Sequence, residues 1–119
     1  MNRDVAEMWI ADLESGKFPQ SKGMLRNDAG FCCLGVLCDR AVREGILTPE
    51  EVIEVPTWPI RTQYAGEDVV LPRKVREWAG MKSDIGTYGN GYALTDENDI
   101  YNKTFPEIAN VIASFVDNL

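Results

Sequence analysis

Three cysteines, Cys32, Cys33 and Cys38, fall within seven residues and are the first side chains here whose type suits covalent chemistry. A thiol becomes nucleophilic when a nearby cation or a helix N-terminus lowers its pKa, and Cys32 and Cys33 stand where a helix should begin. The plain alternative is that they are small apolar residues starting that helix, with Cys38 sharing its inward face with Leu34 and Leu37. Zinc sites want four ligands at separated spacings, and three clustered thiols in a chain without histidine do not make one, so no metal is expected. Neighbouring cysteines pair only with strain and an odd number leaves one over, which makes a poor disulfide framework and fits a reducing cytoplasm. The missing histidine also removes imidazole general bases and serine–histidine or cysteine–histidine catalysis, unless a partner chain supplies the group. No catalytic residue is assigned.

Asp96-Glu97-Asn98-Asp99 is the densest cluster of side-chain oxygens. An EF-hand loop would need alternating ligands, a glycine and a distant glutamate, whereas isoleucine and tyrosine follow here. Two readings remain: a solvated turn in which Asn98 or Asp99 bonds local backbone, or an acidic face of Asp96, Glu97 and Asp99 turned toward a partner protein.

Gly86-Thr87-Tyr88-Gly89-Asn90-Gly91-Tyr92 can offer backbone N–H groups to an anion and tyrosine rings to a base. It matches neither the phosphate loop nor the dinucleotide fingerprint, so no cofactor is expected. Arg73, Lys74 and Arg76 precede it, and Arg61 and Tyr64 come before those. Arginine, aromatic ring and glycine loop together suit a small anionic ligand with a flat ring. The expected ligand set is Arg61, Tyr64, Arg73, Arg76, Tyr88 and Tyr92, with Trp58, which lies between Pro56 and Pro59, as a further pocket or interface residue. The competing reading is a hairpin turn beside a solvated basic helix face.

These side chains need elements to hold them. Val5, Met8, Trp9 and Leu13 recur at helical spacing before Ser15-Gly16, predicting a first helix. Met24-Leu25-Arg26 and Phe31-Cys32 flank Asn27-Asp28-Ala29-Gly30 as a small hairpin. Leu34, Leu37, Cys38, Ala41 and Val42 predict a largely buried second helix. Thr48-Pro49-Glu50-Glu51 reads as a capping box opening a short third helix through Val55, broken by Pro56-Thr57-Trp58-Pro59. Two extended arms around Ala65-Gly66-Glu67-Asp68 follow. Pro72 opens a two-turn helix with Val75, Trp78 and Ala79 inward and Gly80 at its end. Residues 83–94 form a second hairpin or an ordered loop, with Asn90-Gly91 as its turn. Thr104-Phe105-Pro106-Glu107 caps a docked last helix striped by Ile108, Val111, Ile112, Phe115, Val116 and Leu119. The expected architecture is one α+β domain over 1–119, with four to five helices and one or two small hairpins.

Nineteen acids against twelve bases give a net charge of −7, which argues against direct binding of nucleic acid. The imbalance gathers in residues 84–119, where six acids face one lysine. No run approaches eighteen apolar residues, so no membrane span is expected, and the charged N-terminus lacks a signal-peptide core.

Phe31-Cys32-Cys33-Leu34-Gly35-Val36-Leu37-Cys38-Asp39 resembles the signature of a family of small proteins of unassigned activity that bacteriophages and prophages encode widely. The likeness extends to the tryptophan-bearing first helix, Gly30, Leu71-Pro72 with Val75, Trp78 and Gly80, the segment Thr95 to Asp99, and Phe105 with Ile108-Ala109 and Ile112. Glu97 stands where that pattern has leucine. The resemblance implies a phage origin and the cytoplasm of a bacterial host, and it carries no activity or catalytic residue.

Three functions are compatible with these residues. The favoured one is a non-enzymatic accessory protein that sequesters a small anionic, nucleotide-derived host signal to counter host defence. The second is an acidic inhibitor of a host defence or nucleic-acid-binding protein. The third is a small hydrolase using Asp, Glu or Cys. A pocket shared across a homo-oligomer interface would be one way for so short a chain to enclose a ligand.

Overall fold

The computed structural model describes residues 1–119. Helix α1, Arg3–Glu14, starts at Asn2, whose Oδ1 accepts from the Val5 N–H at 3.1 Å. Its apolar stripe sinks Trp9 completely, and the indole Nε1 donates to the Cys33 carbonyl at 2.9 Å. Burying each such large side chain contributes about 1.5–3 kcal/mol. Strands β1, Arg26–Asn27, and β2, Gly30–Phe31, form the first hairpin, pairing Arg26 with Phe31 and Asn27 with Gly30. Helix α2, Cys33–Arg43, follows and is almost wholly buried along Leu34, Val36, Leu37, Cys38 and Ala41. It can press so close because residue 35 is glycine: a Cβ there would lie 1.7 Å from the Leu25 carbonyl oxygen.

The expected third helix through Val55 is not formed. The Thr48–Glu51 capping box is present, with the Glu51 carboxylate accepting from the Thr48 N–H at 3.0 Å, yet it closes only a 3₁₀ turn over Pro49–Glu51. Val52, Ile53 and Val55 are β-branched, and the chain continues as strand β3, Val52–Val55, paired antiparallel with β4, Arg61–Tyr64. Pro56 to Ile60 are therefore the loop of this hairpin rather than a helix break. The arms expected around Ala65-Gly66 shrink to a tight turn with a single Tyr64–Glu67 bridge. The sheet runs β2-β1-β4-β3, antiparallel throughout.

Helix α3, Arg73–Ala79, begins at Pro72 and ends on Gly80 with φ 66°. Val75 and Ala79 are buried, while Trp78 packs half-buried against the core. A second small sheet, β5 (Thr87–Gly89) with β6 (Tyr92–Ala93), turns at Asn90-Gly91 and leads into α4, Leu94–Asp99. The expected solvated turn over residues 96–99 is thus a helix, set by Leu94 and Asn98 sinking fully into the core. Helix α5, Phe105–Phe115, carries the Thr104–Glu107 capping box and lies along α1. The fold is α+β: five helices around one core, with two small antiparallel sheets at its margins. No helix is long and apolar enough to cross a membrane.

Candidate functional site

The loop between α3 and β5 joins the two regions that matter. It is pinned to the end of α5: the Lys82 N–H donates to the Leu119 carbonyl at 2.8 Å, and Lys82 Nζ to that of Asp117 at 3.2 Å. Further on, the Thr87 N–H bonds Ser83 Oγ at 2.8 Å and Gly86 takes φ 73°, where a Cβ would meet the Leu94 side chain at 2.9 Å. The loop therefore holds Lys82 and Ser83 between α3 and the β5–β6 hairpin.

Three adjoining concavities follow this path. The first, about 430 Å³, is lined by Arg73, Arg76, Lys82 and Ser83 and also by Glu67 and Asp84. The second, about 400 Å³, shares Lys82 and Ser83 and continues to Tyr88 and Asn118. The third, about 600 Å³, is an open aromatic cleft between the hairpin and α5, lined by Tyr88, Tyr92, Phe115, Val111, Lys103, Asn90 and Asn118. Tyr88 forms its floor. Its ring centroid lies 5.0 Å from that of Phe115 and 5.9 Å from that of Tyr92. Lys82 and Ser83 border both the first and second concavities, and Tyr88, Gly89 and Asn118 both the second and third, so the basic and aromatic ends are linked through the middle one.

Behind the floor, the Tyr88 hydroxyl donates to Glu97 Oε1 at 2.5 Å. Burial, reinforced by this carboxylate, holds the Tyr88 phenol well above its ordinary ionisation range. Glu97 Oε2 lies 3.5 Å from Lys103 Nζ.

Of the side chains expected to bind, Arg73, Arg76, Tyr88 and Tyr92 come together on this groove. The other three do not. Tyr64 is 1% exposed, so its ring has no face to offer a ligand; burial pushes its phenol up to about 12. Arg61 pairs with Asp68 at 3.2 Å, and Trp58, 89% exposed, sits in the β3–β4 loop; neither lines the groove. The expected acidic face is corrected at Glu97, while Asp96 and Asp99 stay half-buried. Glu97 is 5% exposed because the phenol and the ammonium hold it inward, and Asp99 Oδ1 accepts from Gly23 N–H at 3.1 Å and Asn98 Nδ2 at 2.8 Å. Asp96 alone of the three is left without such a bond.

Lys82, Lys103, Phe115 and Asn118 were missing from the sequence expectation. Lys82-Ser83, two residues past the helix-ending Gly80, is a readable signal. Phe115 was assigned to the inward stripe, but at the last turn of α5 it is 39% exposed and faces the cleft.

The thiols are not poised for chemistry. Cys32 is 4% exposed and burial raises its pKa to about 11, while Cys33 and Cys38 are fully buried and pushed well above the ordinary thiol range. A separate concavity of about 340 Å³ over β1, β3 and β4 is lined by Arg26, Thr62, Asp28 and Glu54, offers one cation where the α3 concavity offers three, and has no aromatic ring.

A family model described as a domain of unknown function, DUF8296, matches residues 1–116. No curated protein and no solved structure matches this chain.

Proposed function

The chain belongs to the DUF8296 family of domains of unknown function, and from that membership, which assigns no activity, we propose that this protein binds a small anionic, nucleotide-derived ligand along the groove from α3 to α5. The carrying observation is the state of its cations. Arg73 is paired with Glu77 at 2.7 Å and Lys103 with Glu97, whereas Arg76 and Lys82 form no ion pair and share one wall with Ser83. An anion placed there gains charge-assisted hydrogen bonds without displacing a carboxylate partner, each worth about 1.5–3 kcal/mol. A flat ring attached to it reaches the surfaces of Tyr92 and Phe115, where stacking contributes about 1–3 kcal/mol per base.

Sequestration of a host signal by a phage-encoded protein in the bacterial cytoplasm is the biological form of this reading, and it rests on the resemblance of the cysteine-rich segment. The acidic-inhibitor alternative has less support, since Glu97 is buried and Asp99 is bonded locally. The third alternative, a small hydrolase using Asp, Glu or Cys, loses support for its thiol form, since all three cysteines are buried.

Calorimetric titration with a panel of ribonucleoside mono-, di- and triphosphates and cyclic nucleotides tests the proposal. We expect one class to bind, with the double variant Arg76→Ala/Lys82→Ala weakening it by about a hundredfold or more and Tyr92→Ala by about tenfold. Unaltered affinity in the double variant, or a panel without a binder, sinks the reading.

A further inference from the structure

We infer that Glu97 is the positioning residue of the groove's aromatic end: from behind the wall it holds Tyr88 as the floor and Lys103 at the rim, and so keeps that end electrically neutral. This deepens the ligand-binding reading above and rests on it. Glu97 itself lines none of the three concavities. Its two oxygens point to different elements, Oε1 to the β5 tyrosine and Oε2 to the lysine before α5, while its backbone carbonyl accepts from the Lys103 N–H at 3.0 Å. One α4 side chain therefore couples the hairpin to the start of α5.

Stability alone does not call for a carboxylate here. Removing an ionised group from water costs several kcal/mol, and well-packed apolar residues often replace buried ion pairs without loss. Glu97 Oε2 is buried and accepts no hydrogen bond, so the arrangement is not even fully satisfied. What leucine cannot do is fix the direction of a phenol and an ammonium, and both of those groups belong to side chains that wall the cleft. With its hydroxyl turned inward, Tyr88, 8% exposed, presents only an edge of its ring to the cleft, and with its charge matched, Lys103 does not draw an anion into the aromatic end. The ligand then has a polarity: an uncharged flat ring over Tyr88, Tyr92 and Phe115, and its anion at Arg76 and Lys82.

The test compares the parent with Glu97→Leu, using adenosine, AMP and inorganic pyrophosphate as probes and NMR of ring-labelled tyrosine as a ligand-free readout. In Glu97→Leu we expect the Tyr88 phenol to ionise at lower pH than in the parent, in a protein that still unfolds cooperatively but melts at a lower temperature, since the phenol loses its acceptor. AMP and adenosine should weaken about tenfold, as the loss of one stacking surface implies, whereas pyrophosphate should hold or tighten, because the Lys103 charge is freed here as well. Glu97→Gln, which keeps an acceptor for Tyr88 but frees the Lys103 charge, should tighten pyrophosphate relative to adenosine. An unshifted Tyr88, or equal weakening of all three probes as general loosening would give, overturns the inference. If no probe binds the parent, the ligand reading fails separately, and the Tyr88 titration alone upholds or overturns the role of Glu97.

Discussion

Asn98 uses both ends of its amide inside the protein. Its Oδ1 accepts from Gln20 Nε2 at 2.9 Å, and its Nδ2 donates to the Ser21 carbonyl at 2.9 Å and to Asp99 Oδ1 at 2.8 Å. This fully buried side chain ties the segment before β1 to α4. Asn98→Ala leaves those partners unsatisfied and should cost about 1–3 kcal/mol, read as a lower urea midpoint at unchanged slope. An unchanged midpoint would mean that water replaces the amide. Asp12 is its counterpart on α1, a 6%-exposed carboxylate gripped by Arg40 at 2.8 Å and Arg43 at 2.7 Å. At this scale the sequence was only partly legible. Nothing in the residue types of Tyr64 and Tyr88, both buried, separates the one sealed in the core from the one that borders a cleft, and Glu97 reads as surface because acids mostly are. For Tyr88 and Glu97 the assignment depends on which distant side chain, Phe115 or Lys103, lies opposite.

The elements were read best where a pattern is local. The stripes of α1, α2 and α5, the Thr104 capping box and the Asn90-Gly91 turn all formed as their spacing predicts. The failure at residues 48–55 is instructive because the capping signal was real. A box stabilises a first turn, but it does not extend a helix through Val52, Ile53 and Val55 when a pairing partner is available nine residues on at Arg61–Tyr64. Close approach between elements was equally hidden. Gly35 read as one helix residue among several, yet α2 meets the Leu25 backbone there with no room for a methyl group. Gly35→Ala should therefore destabilise by about 1–3 kcal/mol, although alanine favours helix more than glycine. A stability gain in thermal melts would show that α2 can shift away from β1.

At the scale of the whole molecule, buried acidic hydrogens set the response to pH. Burial raises Cys32 from 9.0 to about 11 and Tyr64 from 10.0 to about 12. Groups with raised folded-state values contribute stability that is complete below the unfolded value and is lost as pH climbs toward the folded one. The urea midpoint should hold up to about pH 8 and then fall, with Cys32 alone accounting for about 2–3 kcal/mol by pH 11. A flat profile to that pH would show that the thiols are wetter than their burial implies. The amino-acid sequence by itself determined the fold class, the positions of four of the five helices, the first hairpin, a hairpin or ordered loop over 83–94, and the removal of imidazole chemistry. Helix periodicity, capping boxes and turn dipeptides act over a few residues, and a missing residue type needs no structure to be read. Only the tertiary structure decided that Arg76, Lys82, Tyr88, Lys103 and Phe115 border one groove, that Tyr64, Arg61 and Trp58 do not, and that Glu97 lies behind its wall. Those residues come from separate elements. Which of them meet is settled by how helices and sheets pack around a shared core, a property of the whole chain that no local spacing encodes.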